Sequence, residues 1–125
     1  MNWLAIALGG ALGAMSRYAI VTYVVPIGTQ RFPWGTLLAN TLGCFIVGVL
    51  AVVIIDKQLL GPQWRLLLMT GFLGALTTFS AFSLETVQLW QLGHGLHALY
   101  YVVVSLVACI TATALAIVLT LRFFP

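Results

Sequence analysis

Four long apolar stretches, separated by short polar ones, make up almost the whole chain. They run over about residues 3–25, 34–55, 64–91 and 96–119. A helix needs ~20 mostly apolar residues to cross the hydrocarbon core of a bilayer, and each stretch meets that length. The apolar runs are continuous rather than alternating, which argues against a membrane β-barrel. The pattern therefore predicts an all-α membrane protein with four transmembrane helices.

Turn-forming and charged residues separate the four stretches. Pro26 follows the first, Asp56 and Lys57 follow the second, and a Gly61-Pro62 turn signal precedes the third. The connection LGHG joins the third stretch to the fourth. Aromatic side chains that favour the membrane interface stand near the ends of the stretches, as Trp3, Trp34, Trp64 and Trp90.

The composition supports a single integral membrane domain over residues 1–125. The chain is 62% hydrophobic and 6% charged, whereas a soluble domain carries about a quarter charged residues. A net charge of +3, spread along the chain, gives no basic cluster for nucleic acid. Cys44 and Cys109 lie in apolar runs without a CxxC spacing, so we interpret them as small core residues. The first stretch has no cleavage signal and is expected to be retained.

The charged residues do not define an orientation in the membrane. With four helices, Lys57, Arg65 and Arg122 share one side, and Arg31 with Arg17 belongs to the other. Three against two is almost no bias under the positive-inside rule. One interpretation is a weakly specified single topology. The other is insertion in both orientations, followed by antiparallel pairing of two copies in a two-fold homodimer.

Two polar residues stand deep inside apolar stretches, where such residues are candidates for function. Arg17 either extends to the interface or provides a fixed positive charge that attracts an anion or ties helices together. Asn40, with Thr36 and Thr41 nearby on the second helix, offers two donors and one acceptor. It either bridges two helices or donates to a ligand.

The fourth stretch carries a line of polar side chains. Tyr101, Ser105 and Cys109 are spaced at i, i+4 and i+8, so they share one helix face. Hydroxyls in membrane helices also bond back to the carbonyl four residues earlier, which is the alternative to a functional line.

The sequence GALTTFSAFSLE, residues 74–85, is unusual for a membrane helix. Gly71 and Gly74 weaken helical structure, and four hydroxyls within seven residues can satisfy freed backbone groups. This pattern predicts a broken third helix, which is tolerated only inside protein or beside a cavity. Freed carbonyls would suit Na⁺, whereas freed N–H groups and hydroxyls such as Ser80 would suit an anion.

Two aromatic residues follow the expected break. Phe79 and Phe82 are three apart, so they share a face if the helix resumes there. The edge of a phenyl ring is electropositive and can face an anion, although both rings could equally be lipid-facing bulk. Glu85 would repel an anion unless it were protonated or bonded to donors, and the sequence assigns it no role.

Three segments together identify a family resemblance. GGALGAMSRY in the first helix, GTLLANTLGCFIVG in the second and GFLGALTTFSAFSLE in the third resemble the Fluc (CrcB) family of fluoride channels. The resemblance implies an antiparallel dual-topology homodimer with two fluoride pores. It also implies a structural Na⁺ at the dimer centre and a multi-pass location in the bacterial inner membrane.

The resemblance extends to individual residues. It implies that backbone carbonyls of Gly74 and Thr77 hold the Na⁺, and that Asn40, Phe79 and Phe82 line the pore. It also places four further residues at matching positions: Tyr101 and Ser105 in a polar track, Arg17 in the first helix and Glu85 after the third-helix motif.

This sequence departs from the family pattern at two positions. Ala81 stands where a threonine is common between the two phenylalanines, and Cys109 stands where a serine is expected in the polar track. A thiol is a weaker donor than a hydroxyl, so the far end of the track is altered in this chain.

The function expected from residues and resemblance together is passive, selective fluoride export that lowers the cytoplasmic concentration. An enzyme is not expected, because the sequence has no nucleophile–base pair, metal-ligand cluster or phosphate loop. The alternative is a small four-helix dual-topology multidrug exporter, which relies on a buried Glu in the first helix where this chain has Arg17. A non-conducting assembly subunit is a further alternative, but it would not require the Asn40 and phenylalanine set.

Overall fold

The structure is a computed structural model that describes residues 2–24 and 32–124. Helix α1 spans Asn2–Val24, and helix α2 spans Trp34–Asp56, with its last part, Ala51–Asp56, wound as a π-helix. The predicted stop at Pro26 and the side assigned to Arg31 lie outside the described residues. Within them, both helices match the first two apolar stretches.

The third apolar stretch forms two helices rather than one. Helix α3 covers residues 62–76 and begins with Pro62, which suits a first helical position because proline has no N–H to leave unpaired. Its middle part, Arg65–Leu73, is wound as a π-helix. Helix α4 spans Phe79–Gln91, and a turn with Gly93 at φ +80° leads to helix α5, Gly95–Phe123.

Four spans of the described chain are long and apolar enough to cross a membrane, which confirms the predicted all-α architecture with four transmembrane helices. They are α1, α2, α5 and the α3–α4 pair, which covers Pro62–Gln91. Their outward faces carry many exposed Leu, Val and Ile side chains, as lipid contact requires. The four tryptophans near the span ends are also exposed.

Helix α1 packs closely against α3 through glycines. A Cβ on Gly9 would lie 2.1 Å from the Leu67 carbonyl oxygen, and a Cβ on Gly71 would lie 3.0 Å from the Gly9 Cα. Gly13, one turn further, touches the Phe72 backbone. The GxxxG of α1 therefore lets two backbones meet, as small residues do in lipid.

The other half of the molecule packs α2 against α5 and closes over an aromatic cluster. Gly48 of α2 lies against the Thr113 carbonyl and the Ala116 side chain of α5. Near one end, Phe32, Phe82 and Tyr101 are buried together, with ring centroids 5.4 Å apart for Phe32 and Tyr101 and 5.1 Å for Phe82 and Tyr101. This cluster holds α4 against α5 beside the break in the third span.

Candidate functional site

The third span breaks at Thr77 and Thr78. Both residues have extended backbones, with φ −83° and ψ 154° at Thr77 and φ −154° and ψ 122° at Thr78. The break was predicted from the sequence, but its position differs in detail. Gly71 and Gly74, the residues expected to weaken the helix, are themselves helical, and the chain leaves the helix three residues after Gly74.

The side chain of Asn40 holds the broken backbone in place. Its Nδ2 donates to the Thr78 carbonyl at 3.0 Å, and its Oδ1 accepts from the Thr78 N–H at 2.7 Å. A side-chain amide has a second N–H, which these two bonds leave available. Asn40 therefore bridges two helices and also lines the adjoining cavity, so both predicted roles are compatible.

Helix α4 starts with a side-chain cap. Thr78 Oγ1 accepts from the Ala81 N–H at 3.1 Å, as N-cap residues do, and lies 3.1 Å from the Ser80 hydroxyl. Thr77 instead turns its hydroxyl back to the Leu73 carbonyl at 2.9 Å. Thr77 thus bonds to the end of α3, and Thr78 bonds to the start of α4.

Two backbone N–H groups near the break donate to side chains instead of to the carbonyls that they would bond in a continuous helix. The Thr78 N–H would reach the Gly74 carbonyl, but it donates to Asn40. The Ala81 N–H would reach the Thr77 carbonyl, but it donates to Thr78 Oγ1. The carbonyls of Gly74 and Thr77 are therefore deprived of their helical partners. These are the two residues that the resemblance assigns to Na⁺.

A cavity of about 400 Å³ adjoins the break, between α2, α3, α4 and α5. Most of the predicted site residues line it, although they lie far apart in the sequence. The predicted residues in its wall are Asn40, Gly74, Thr77, Phe79, Phe82, Ser105 and Cys109. Its remaining surface is mostly apolar, so the few polar groups stand out against a low-dielectric lining.

Ser105 lies in the wall of this cavity, and its hydroxyl has no hydrogen-bond partner among the described residues. The residue is 6% exposed. The predicted alternative, a bond back to the i−4 carbonyl, is therefore not made by Ser105, although Thr113 and Thr120 make such bonds further along α5. A buried hydroxyl without a partner is unfavourable, so Ser105 is a candidate donor for a water molecule or a ligand.

Phe79 and Phe82 lie side by side on α4, as their spacing predicted. Their ring centroids are 5.4 Å apart with an interplanar angle of 47°, and both rings line the cavity. Their burial differs sharply. Phe82 is 9% exposed and contacts Tyr101, whereas Phe79 is 75% exposed at the open side of the cavity.

Glu85 has a defined set of partners, which the sequence did not reveal. Thr36 Oγ1 donates to Oε1 and the Tyr101 hydroxyl donates to Oε2, each at 2.7 Å. Each carboxylate oxygen thus accepts from a hydroxyl on another helix, which compensates for removing it from water. Only folding brings α2, α4 and α5 together at this point, so the sequence carried no local signal for the contact.

Five predicted residues lie outside the cavity wall: Thr36, Glu85, Ser80, Tyr101 and Arg17. Ser80 is exposed and bonds to Thr78, and Tyr101 is directed to Glu85. Arg17 is half-buried on α1, one turn beyond Gly13, which packs against α3. Among the described residues, the Arg17 guanidinium makes no hydrogen bond or ion pair. Conversely, the cavity includes Cys44, which the sequence suggested only as a core residue.

Known proteins resemble this chain over nearly its full length. Residues 4–117 match the family described as "CrcB-like protein, Camphor Resistance (CrcB)". A protein of Saccharophagus degradans named "Fluoride-specific ion channel FluC" is 52% identical over 118 residues, covering 94% of this chain and 88% of that protein. One of the same name from Hahella chejuensis is 49% identical over 115 residues, covering 92% and 91%. A third, from Leptospira interrogans, is 43% identical and covers 83% and 82%.

Proposed function

Since the chain belongs to the CrcB family, we propose that it is a fluoride channel whose anion passes through the cavity beside the broken third span. The family is one of ion channels, so the prediction that the chain is not an enzyme is confirmed. The chain is a multi-pass membrane protein, and we place it in the bacterial inner membrane, where an exporter of cytoplasmic fluoride would act.

The observation that carries this proposal is the unpaired Ser105 hydroxyl in the cavity wall. Fluoride is small and strongly hydrated, so a site for it must replace water with donors. Ser105 and the second N–H of Asn40 are donors that the protein leaves available. The edges of Phe79 and Phe82 add electropositive surface, and the apolar lining strengthens each interaction.

Transport in this scheme is passive. Hydrogen fluoride crosses membranes as a neutral molecule and ionises in the cytoplasm, where the anion is trapped. A negative interior drives fluoride outward with ~2.3 kcal/mol per 100 mV for each charge. Selectivity against chloride follows from the donors, because chloride is larger and a weaker hydrogen-bond acceptor.

Fluoride efflux from liposomes tests this function. Purified protein is reconstituted with internal potassium fluoride, and an ionophore lets potassium leave to balance the charge. We expect rapid fluoride release and very slow release of chloride from matched vesicles. Equal rates for the two anions, or fluoride release no faster than from empty vesicles, would overturn the proposal. The multidrug-exporter alternative instead predicts proton-driven transport of organic cations, and α1 has Arg17 where that class needs an acid.

We propose an antiparallel, dual-topology homodimer with two pores. The three-against-two charge count supports insertion in both orientations. The 75% exposure of Phe79 supports a second chain, because a cavity-lining ring open on one side needs a further wall. A C-terminal reporter should be found on both sides of the membrane, and two or three added lysines at one end should drive all copies one way. A single orientation in the unmodified protein would refute dual topology.

We further propose that Gly74 and Thr77 hold a structural Na⁺ at the centre of that dimer. The redirected N–H bonds support this assignment, because they free two carbonyl oxygens of the kind that hard cations prefer. The ion would accept coordination from these carbonyl oxygens at the point where the broken third spans of the two chains meet. Thr77→Ser should leave sodium binding intact, since the ligand is a backbone group, and ²³Na exchange or sodium-dependent dimer stability measures it.

A further inference from the structure

Two cysteines line the same cavity wall from different helices. Cys44 comes from α2 and Cys109 comes from α5, and both are free and half-buried. The Cys109 sulfur lies 4.0 Å from the Thr41 hydroxyl, on the part of α2 one turn before Cys44, so both thiols belong to the same region of the cavity wall. They are the only cysteines in the 125-residue chain, so any thiol chemistry belongs to this pair.

The surrounding backbone holds the two cysteines together. The Thr113 hydroxyl donates to two carbonyl oxygens at once, that of Cys44 at 2.9 Å and that of Cys109 at 3.1 Å. Gly48, against the Thr113 carbonyl, keeps the two helices close. The thiols are therefore presented from rigid helix faces rather than from loops.

We propose that Cys44 and Cys109 form a bidentate site for a soft, thiophilic metal ion such as Cu⁺. Soft metals select thiolate ligands, and a coordinating thiol is deprotonated by the metal. Two S–H bonds are lost, two metal–sulfur bonds form, and two protons leave to solvent, with no change of oxidation state. The other polar groups of the cavity wall, such as those of Asn40, Thr77 and Ser105, offer oxygen and nitrogen atoms, which suit hard ions rather than a soft metal.

Occupation of this site blocks the anion path. Ser105 lies one turn before Cys109 on α5, and both residues line the same cavity. A metal held between the thiols narrows the space beside the unpaired Ser105 hydroxyl. This consequence rests on the proposed fluoride function, whereas metal binding itself does not. Because Cys109 stands where a serine is expected, the anion path of this chain can be blocked by a thiophilic metal, whereas a serine hydroxyl would not bind one.

Binding is tested first, without any flux measurement. Purified wild-type protein is titrated with Hg²⁺, and bound mercury is counted by native mass spectrometry while free thiols are counted by alkylation. We expect one Hg²⁺ per chain and simultaneous protection of both thiols. Cys44→Ser and Cys109→Ser should each weaken binding at least 100-fold, because only one thiolate remains. Wild-type affinity in either single variant, or mercury that protects only one thiol, would overturn the site.

Flux is tested next on the same proteins. Hg²⁺ should stop fluoride efflux through wild type, and excess dithiothreitol should restore it. The Cys44→Ser/Cys109→Ser double variant should show the same fluoride efflux with and without Hg²⁺, whatever its own rate is relative to wild type. If mercury binds as expected but efflux continues, the thiol site stands and the assignment of this cavity as the anion path fails. If no variant conducts before mercury is added, the proposed function fails independently of the binding result.

Discussion

The side-chain amide of Asn40 pairs with the backbone of Thr78 through two hydrogen bonds, of 2.7 Å and 3.0 Å. It replaces, from another helix, the bonding that the broken third span loses. The same pairing withholds the Thr78 N–H from Gly74. Asn40 therefore stabilises the break, leaves the Gly74 carbonyl without its helical donor and forms part of the cavity wall.

Asn40→Asp should reduce the rate of fluoride efflux by orders of magnitude, for two reasons. The variant keeps an acceptor for the Thr78 N–H but loses the donor to its carbonyl, and it adds a negative charge beside the anion path. Losing a donor to a buried partner costs about 1–3 kcal/mol, so the melting temperature should also fall. Efflux and thermal unfolding in detergent measure the two effects. An Asn40→Asp channel that conducts at the wild-type rate would remove Asn40 from the path.

Ser105→Ala should separate stability from function. Removing a buried hydroxyl that has no partner should leave stability unchanged or raise it by about 1 kcal/mol. Fluoride efflux should nevertheless fall at least tenfold, because an available donor is lost. Ser80→Ala is the matched control, since its hydroxyl bonds to Thr78 outside the cavity wall. A Ser105→Ala protein that is destabilised and conducts normally would assign Ser105 a structural role instead.

Phe79→Ile and Phe82→Ile should both reduce fluoride efflux strongly, because an aliphatic side chain removes the electropositive ring edge. Their effects on stability should differ. Phe82 is 9% exposed and packs on Tyr101, so its replacement should cost about 1–3 kcal/mol, whereas Phe79 is 75% exposed and should cost little. Unchanged efflux in both variants would refute the anion path along these rings.

The Glu85 contacts should be strongly coupled in stability. Thr36→Val and Tyr101→Phe each remove one hydroxyl donor to the carboxylate. Each should destabilise wild type, but neither should have much effect in a Glu85→Leu background. The coupling expected for a hydrogen bond to a charged group is about 1.5–3 kcal/mol, obtained from double-mutant cycles. Additive effects would mean that the hydroxyls stabilise the helices without Glu85.

Gly74→Val should weaken the proposed dimer without disturbing the fold of one chain. A Cβ on Gly74 would meet only the Met69 carbonyl oxygen, at 3.8 Å, so the chain itself has room for it. Gly10→Val is the matched control, because a Cβ there meets nothing within 4 Å. Light scattering in detergent should show more monomer for Gly74→Val than for Gly10→Val. Equal dimer fractions would place Gly74 away from the interface.

The four spans, the break in the third and the shared face of Phe79 and Phe82 follow from the sequence alone. Each depends on local physics: the length of an apolar run, the clustering of hydroxyls after glycine, and the 3.6-residue period of a helix. The third span was predicted to weaken around Gly71 and Gly74. It breaks instead at two threonines, because an asparagine from α2 supplies the bonds that let it break there.

Tertiary structure alone decided which distant polar groups meet. The partners of Glu85 lie 49 residues before it and 16 residues after it, and no local pattern encodes such a contact. The same holds for Cys44 and Cys109, which lie in separate apolar runs of the sequence and meet in one cavity wall only in the fold. Ser105 was a member of a helix face in the sequence, and only packing left its hydroxyl buried without a partner. Helix periodicity determines which side chains share a face, but the choice of facing helix determines what they touch.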